Sequence, residues 1–308
     1  MKIDTPLHLK YRPQSFDEVI GNKGTVESLK SILARKKGRP HSLLFSGPAG
    51  CGKTTLARII KNELGCSDRD FHELNAANTR GIDTIREVGV NCQYSPSIGS
   101  CKIYLLDEAH KLTVDAQNGM LKPLEDTPLH VYFILCTTEP EKLIEAVRQR
   151  CTKFKVATQR RADITKLLNF VLESEGVEDF PVEAVKEIAK VAGGSPRNAL
   201  VILDSVIDIE DPQVVMSSII DFVVKQSSVK DLCEALLANK KWSEISKILS
   251  TIDSEPENVR YAVLGWMNTV LLKSGDVRAA EIIVNFMEPM MYTKKAGLTY
   301  ACFACTSK

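Results

Sequence analysis

Eight consecutive residues, Gly47-Pro48-Ala49-Gly50-Cys51-Gly52-Lys53-Thr54, constrain this chain more than any other feature of it. They satisfy the pattern G-x-x-x-x-G-K-[S/T] and stand between an apolar run, Ser42–Ser46, and a helical pattern over Thr54–Leu64. Such a loop wraps a phosphate. Its glycines let successive backbone N–H groups turn inward, and the following helix offers its positive N-terminal end to the anion. Lys53 is expected to reach the terminal phosphates of a nucleoside triphosphate and the Thr54 hydroxyl to ligate Mg2+, with Thr55 counted among the loop's binding residues.

The loop also dictates the surrounding architecture. Compact apolar or β-branched runs recur at Ser42–Ser46, Lys102–Asp107, Val131–Thr138 and Cys151–Val156, with a weaker one at His72–Asn75. Helical patterns lie between them at Thr54–Leu64, Ile82–Cys92, Val114–Leu124 and Glu141–Gln149, and another at Thr25–Arg35 precedes the first run. Runs of this kind are buried on both faces of a parallel sheet, so the alternation predicts a doubly wound five-stranded α/β domain over 1–158. From Arg161 the spacing becomes wholly helical, predicting a three-helix unit over 159–209. Glu210-Asp211-Pro212 marks a boundary, because proline cannot continue a helix, and an all-helical domain is expected over 210–308.

Two carboxylates end the third strand candidate, at Asp107 and Glu108. A buried strand closing in two acids places them at the edge where α/β sheets bind ligands. Adjacent carboxylates repel unless a cation shares the site, which favours Asp107 as a magnesium group and Glu108 as the base for an attacking water. His110 is read as structural or peripheral. Thr137-Thr138 closes the next strand, and a hydroxyl there would orient water beside the γ-phosphate, with strand-end capping as the alternative. Arg197 follows Ser195, an N-cap, and Pro196, the first helical position. A cation in a first helical turn opposes the helix dipole by ~0.3–1 kcal/mol, which an anion would offset. Arg197 is therefore read as a γ-phosphate sensor, with a surface salt bridge as the alternative. Arg148-Gln149-Arg150-Cys151 joins a helix to the last strand; a cation there, beyond Lys53, is available to a neighbouring subunit or is ordinary surface chemistry.

Composition narrows the class. The chain of 308 residues carries 40 Lys+Arg against 39 Asp+Glu, but residues 1–160 hold 24 basic and 18 acidic ones. That bias is compatible with a polyanionic ligand in the first half and is weak as a sign of nucleic acid. No apolar run approaches the ~20 residues of a membrane helix, and the start Met-Lys-Ile-Asp-Thr-Pro has no secretory pattern. Nine scattered cysteines suit the reducing cytoplasm rather than a disulfide scaffold. The expectation is a soluble cytoplasmic chain.

Taken together, these residues resemble the AAA+ clamp-loader family, the bacterial gamma/tau motor subunit and the small subunits of replication factor C, over about residues 9–205. Leu9-Lys10-Tyr11-Arg12-Pro13 with Phe16-Asp17-Glu18-Val19-Ile20-Gly21 resembles the family's adenine-side segment, which implies Tyr11, Arg12, Pro13, Val19 and Ile20 as nucleotide-binding residues. Asn75–Asp83 with Ile85-Arg86 resembles the segment leading into a DNA-facing helix, which implies Arg80 and Arg86 as phosphate contacts. Thr138 falls at the first sensor, Arg197 at the second, and Arg150-Cys151 at the arginine finger that acts in trans. The resemblance implies a helical lid and a collar, an ATPase using Mg2+, and a five-membered ring, homo- or heteromeric, that places a sliding clamp on primer–template DNA and releases both on hydrolysis. Gln149 departs from the family's serine. The four-cysteine zinc module of gamma/tau subunits is not expected, since only Cys66, Cys92 and Cys101 lie between the phosphate loop and Asp107. A helicase loader or branch-migration motor, a non-hydrolysing ATP-binding scaffold and a small-molecule kinase are the competing readings.

Overall fold

The computed structural model describes residues 5–78, 81–225, 229–252, 256–290 and 293–306. Contacts divide the chain into two compact units, Met1–Leu167 with Gly194–Arg197, and Leu168–Gly193 with Asn198–Lys308.

The first unit opens with a short helix, α1 (Leu7–Lys10), a 3-10 turn at Phe16–Glu18 and α2 (Lys23–Leu33). Strands and helices then alternate: β1 (Ser42–Ser46), α3 (Lys53–Glu63), β2 (Phe71–Asn75), α4 (Ile82–Asn91), β3 (Lys102–Asp107), α5 (Val114–Glu125), β4 (Val131–Thr137), α6 (Glu145–Arg150) and β5 (Thr152–Lys155). The five strands form one parallel sheet in the order β2-β3-β4-β1-β5. The doubly wound parallel sheet expected from the alternation is the one observed, with helices on both faces as parallel connections require.

Strand periodicity sorts the core. Leu43 and Phe45 of β1, with Ile103, Leu105, Ile134 and Cys136, pack on Leu29 of α2 and Leu56, Ile59 and Ile60 of α3. The intervening Leu44, with Tyr104, Leu106, Phe133 and Leu135, packs on Ile85 and Val88 of α4, Met120 and Leu124 of α5 and Val147 of α6. Side chains alternate across a strand, so one run of apolar residues serves both layers. The strand order has a direct consequence for chemistry: β3, β4 and β1 are neighbours, so their carboxyl ends lie side by side where open α/β sheets bind ligands.

The helix α7 (Arg161–Glu175) begins in the first unit and continues in the second, followed by α8 (Val182–Val191) and α9 (Pro196–Asp204), whose first residues belong to the first unit. The second unit continues with α10 (Pro212–Lys225), α11 (Val229–Leu237), α12 (Trp242–Thr251), α13 (Pro256–Ser274), α14 (Val277–Phe286) and α15 (Lys294–Thr306). Leu232 and Leu236 of α11, Ile245 of α12, Val263 and Met267 of α13, Ile282 and Phe286 of α14 and Cys302 of α15 share one core. Among the described residues, no helix is long and apolar enough to cross a membrane.

Candidate active site

The phosphate loop leaves β1 and enters α3. Gly50 and Gly52 take φ of +71° and +101°, a region that side-chain-bearing residues rarely adopt. At Gly50 a second reason applies. A Cβ there would stand 2.2 Å from Ser195 Oγ and 3.4 Å from Arg197 Cβ. The bare backbone lets the Gly194–Arg197 segment close on the loop, and Ser195 Oγ donates to the Gly50 carbonyl at 3.3 Å. Arg197 is thereby brought to the phosphate loop. Its side chain is exposed and has no ion pair among the described residues.

Lys53 is buried and donates to the carbonyls of Gly47 at 2.8 Å and Pro48 at 2.9 Å. The loop thus curls around its own ammonium group, while Pro48 and Ala49 stay exposed and Cys51 turns into the core. Thr54 Oγ1 donates to Asp107 Oδ2 at 2.9 Å, and Asp107 Oδ1 accepts from the Glu108 N–H at 3.0 Å. A hydroxyl and a carboxylate one hydrogen bond apart are hard oxygen donors, and that donor set fits Mg2+. Thr55 is half-buried in the same first turn of α3.

Glu108 has φ of +52°, an uncommon conformation for a residue with a side chain, at the point where β3 turns into the 3-10 segment Ala109–Lys111. Its Oε2 lies 3.4 Å from His110 Nδ1. The same imidazole meets Thr137 Oγ1 at 3.1 Å through Nδ1 and Glu139 Oε1 at 3.3 Å through Nε2. Thr137 Oγ1 also accepts from the Glu139 N–H at 3.0 Å. Glu139 is itself paired with Lys142 Nζ at 2.7 Å; the Lys142 hydrogen bond lowers its pKa, against the opposing effect of burial. The hydroxyl engaged beside Glu108 is therefore that of Thr137, fully buried as the last residue of β4. Thr138 stands just past the strand, half-buried. Strand alternation explains the choice: Thr137 follows Leu135 and Phe133 onto the face where His110 sits. His110, read from sequence as structural or peripheral, occupies the centre of this network.

The N-terminal segment is fastened to the sheet by its polar side chains. Asn22 exchanges hydrogen bonds with the backbone of Ala157, at 2.9 and 3.1 Å, and Thr25 Oγ1 donates to the Lys155 carbonyl at 2.9 Å. Tyr11, Arg12, Pro13, Val19 and Ile20 are all half-buried along it, and Val19 packs on the core shared by β1 and α3. Burial and then Arg58 lower the pKa of the Arg12 guanidinium, Glu73 opposes them, and Arg197 adds to the lowering. Arg58 of α3 is ion-paired with Glu73 of β2. The charges of Arg58, Glu73 and Arg197 are thus all felt at Arg12, and the sequence pattern carries no sign of the Arg58–Glu73 pair, because it takes the α3–β2 packing to bring them together.

Arg150, the last residue of α6, donates to Glu125 Oε2 at 2.7 and 3.2 Å and to the Ala146 carbonyl at 3.1 Å. It is held by the end of α5, not by the chain's own phosphate loop. Arg86 is exposed on α4 and paired with Asp83 at 3.1 Å. Arg80 lies outside the described residues.

With that geometry in place, comparison with known proteins identifies the chain's relatives. It is 32% identical over 302 residues to the DNA polymerase III subunit gamma of Buchnera aphidicola, covering 86% of this chain and 80% of that one. The chain belongs to the DNA polymerase III gamma/tau family. Other gamma/tau relatives are longer: the Bacillus subtilis tau subunit is 34% identical over 65% of this chain but 39% of its own length, and the Mycobacterium tuberculosis gamma/tau subunit 32% identical over 83% and 48%. The chain therefore spans under half of these larger members. The family description "DNA polymerase III, delta subunit" matches residues 68–160. Among solved structures, the RuvB Holliday junction branch migration motor of Thermotoga maritima superimposes with a TM-score of 0.60 at 19% identity, over 78% of this chain and 86% of that one. At that identity the likeness is one of fold, and the fold is that of AAA+ proteins.

Proposed function

We propose that this gamma/tau-family chain is an ATP-hydrolysing clamp-loader subunit that acts in DNA replication. The observation that carries the reading is the junction of Thr54 Oγ1 with Asp107 Oδ2 at 2.9 Å beside a phosphate loop gathered on Lys53. Lys53 exchanges its loop carbonyls for the terminal phosphates of ATP, and the backbone N–H groups from Gly47 to Lys53 cradle the chain of phosphates. Thr54 and Asp107 would hold Mg2+, which when bound neutralises charge on the phosphate oxygens. Glu108 takes the proton from the attacking water. A strand-end hydroxyl, assigned from sequence to Thr138 and observed hydrogen-bonded at Thr137, orients that water. Arg197 senses the γ-phosphate from the segment closed on Gly50, and Tyr11, Arg12, Pro13, Val19 and Ile20 line the base side.

The working division is a nucleotide-binding domain over 1–158, a lid over 159–209 and a collar over 210–308. The partners proposed are other clamp-loader subunits in a five-membered ring, a sliding clamp, and primer–template DNA contacted by Arg80 and Arg86. The nine cysteines are all free and buried, which suits the reducing cytoplasm. The test is ATP hydrolysis by the full chain, alone and with primed DNA and a candidate clamp. Lys53→Ala is expected to abolish nucleotide binding, and Glu108→Gln to keep it while turnover falls at least a hundredfold. Wild-type turnover by the Glu108 variant would remove its assignment as base.

A further inference from the structure

We propose that His110 is a positioning residue that holds Glu108 in its catalytic orientation; this rests on the reading of Glu108 as the base. The Glu108 side chain is 36% exposed, and a carboxylate on a flexible arm must be oriented before it can take a proton from one defined water. The side chain that meets it is a ring only 3% exposed, where solvent does not readily replace a lost partner.

A neutral imidazole carries one N–H, and here each nitrogen faces a different glutamate. With the hydrogen on Nδ1, that N–H lies nearest Thr137 Oγ1 at 3.1 Å, with Glu108 Oε2 3.4 Å away as a second acceptor, and a turn of the Glu108 arm toward it leaves Oε1 for the water. With the hydrogen on Nε2, the ring turns its N–H to Glu139 Oε1, 3.3 Å away, while Nδ1 accepts from the Thr137 hydroxyl at 3.1 Å and offers Glu108 no donor. Thr137 is free to make either bond, because it uses a lone pair, not its hydrogen, to accept the Glu139 N–H. Lys142 fixes the far oxygen of Glu139, so that carboxylate stays in place as the competing acceptor. The ring has two places for its hydrogen, and only the first presents a donor to the base. It is the arrangement by which a catalytic base is aimed by a third group, with Glu139 set against that aim.

Amide side chains separate the two patterns, since Asn places its nitrogen near the Nδ1 position and Gln near Nε2. Steady-state ATP hydrolysis by the full chain is expected to lose at least tenfold in kcat with His110→Ala and His110→Gln. His110→Asn should stay within about threefold of wild type, and the KM for ATP should not move in any of them. In a Glu108→Gln background, His110→Gln should cost nothing further. Glu139→Gln, a change at a half-exposed site with little risk to folding, should keep or raise kcat, because its amide can donate to Nε2 and leave the hydrogen on Nδ1. Equal activity of the Asn and Gln variants, a multiplied loss in the Glu108→Gln background, or a tenfold loss with Glu139→Gln would each overturn the proposal. If Glu108→Gln itself turned over ATP normally, the base assignment would fall and this inference with it. If Glu108→Gln is inactive while the Asn and Gln variants agree, only the role of His110 falls.

Discussion

Gly50 shows how much a single residue can decide in this molecule. Its φ of +71° already penalises any side chain, and a methyl group would collide with Ser195 Oγ, a close neighbour on the segment that carries Arg197. The collision cannot be relieved by a long flexible side chain, because Ser195 is short and tied to the Gly50 carbonyl. Gly50→Ala should therefore cost about 1–3 kcal/mol of stability, the usual range for a residue forced into a sparsely populated backbone region. It should also weaken nucleotide binding more than Gly52→Ala, whose φ is strained but whose Cβ would meet open space. Thermal unfolding together with nucleotide titration of the two variants checks this; equal affinities would mean that the approach of Ser195 and Arg197 does not matter to the loop. Glu108 makes a related point from the opposite side. It accepts a φ of +52° with a side chain attached, and its backbone N–H donates to the Asp107 carboxylate, so the turn that aims Glu108 also fixes its neighbour.

At the scale of elements, the loop between α4 and β3 depends on one buried carboxylate. Asp70 is fully buried and accepts from the N–H groups of Ser97, Ile98 and Gly99, at 2.6, 3.1 and 3.2 Å, and from Ser67 Oγ at 2.6 Å. Burial pushes its pKa up, but these four donors outweigh burial and hold it well below the usual carboxylate range. The folded value thus lies under the unfolded value of about 3.9. The stability Asp70 contributes is full above that pH and drains away as pH falls through it toward the folded value. Asp70→Asn should lower stability at pH 7 by about 1.5–3 kcal/mol, the range for hydrogen bonds to a charged group. The gap between wild type and variant should narrow below about pH 4, and denaturant unfolding across that range would read it; a gap independent of pH would show that the charge is not what pins the loop. None of this was legible in the sequence, where Asp70 is one acid among several. The elements themselves were. β1 and β3 have the bounds that their apolar runs give, and β4 is one residue shorter than its run. Those signals are local, set by strand periodicity and by glycine and proline. The helix read at Glu141–Gln149 instead resolves into a 3-10 turn, Pro140–Lys142, and α6 from Glu145, because Leu143 takes an extended conformation that a helical count does not foresee. The site divides in the same way. Lys53, Thr54, Asp107 and Glu108 were identifiable because a motif or a strand end marks them, whereas His110, Thr137, Glu139, Arg58 and Glu73 matter only through partners distant in sequence.

For the whole molecule, the decisive question is what Arg150 is for. It sits at the end of α6, next to β5 at one edge of the sheet, and its guanidinium is turned to Glu125 and the Ala146 carbonyl. A partly exposed pair of this kind contributes only ~0–1 kcal/mol, so leaving Glu125 for a stronger anion costs little. An arginine delivered to a phosphoryl group from a neighbouring protomer raises the rate of hydrolysis by up to ~10³–10⁵, which far exceeds that cost. If Arg150 acts in this way, Arg150→Ala should leave ATP affinity and folding unchanged while hydrolysis collapses only where protomers meet. Complexes assembled from wild-type and Arg150→Ala subunits give the direct reading. A subunit with intact Lys53 and Glu108 should lose turnover when its neighbour carries the alteration, and keep it when the alteration is its own. Blocking turnover separately in each partner with Glu108→Gln reports which site is lost. A deficit confined to the altered subunit's own site would mean that Arg150 serves its own chain, and the assembly would then contribute nothing to the chemistry. The pairing with Glu125 sharpens the expectation further: Glu125→Ala, which removes that partner and keeps the guanidinium, should leave assembled hydrolysis intact or faster, so of the two substitutions at one contact only Arg150→Ala should lower turnover.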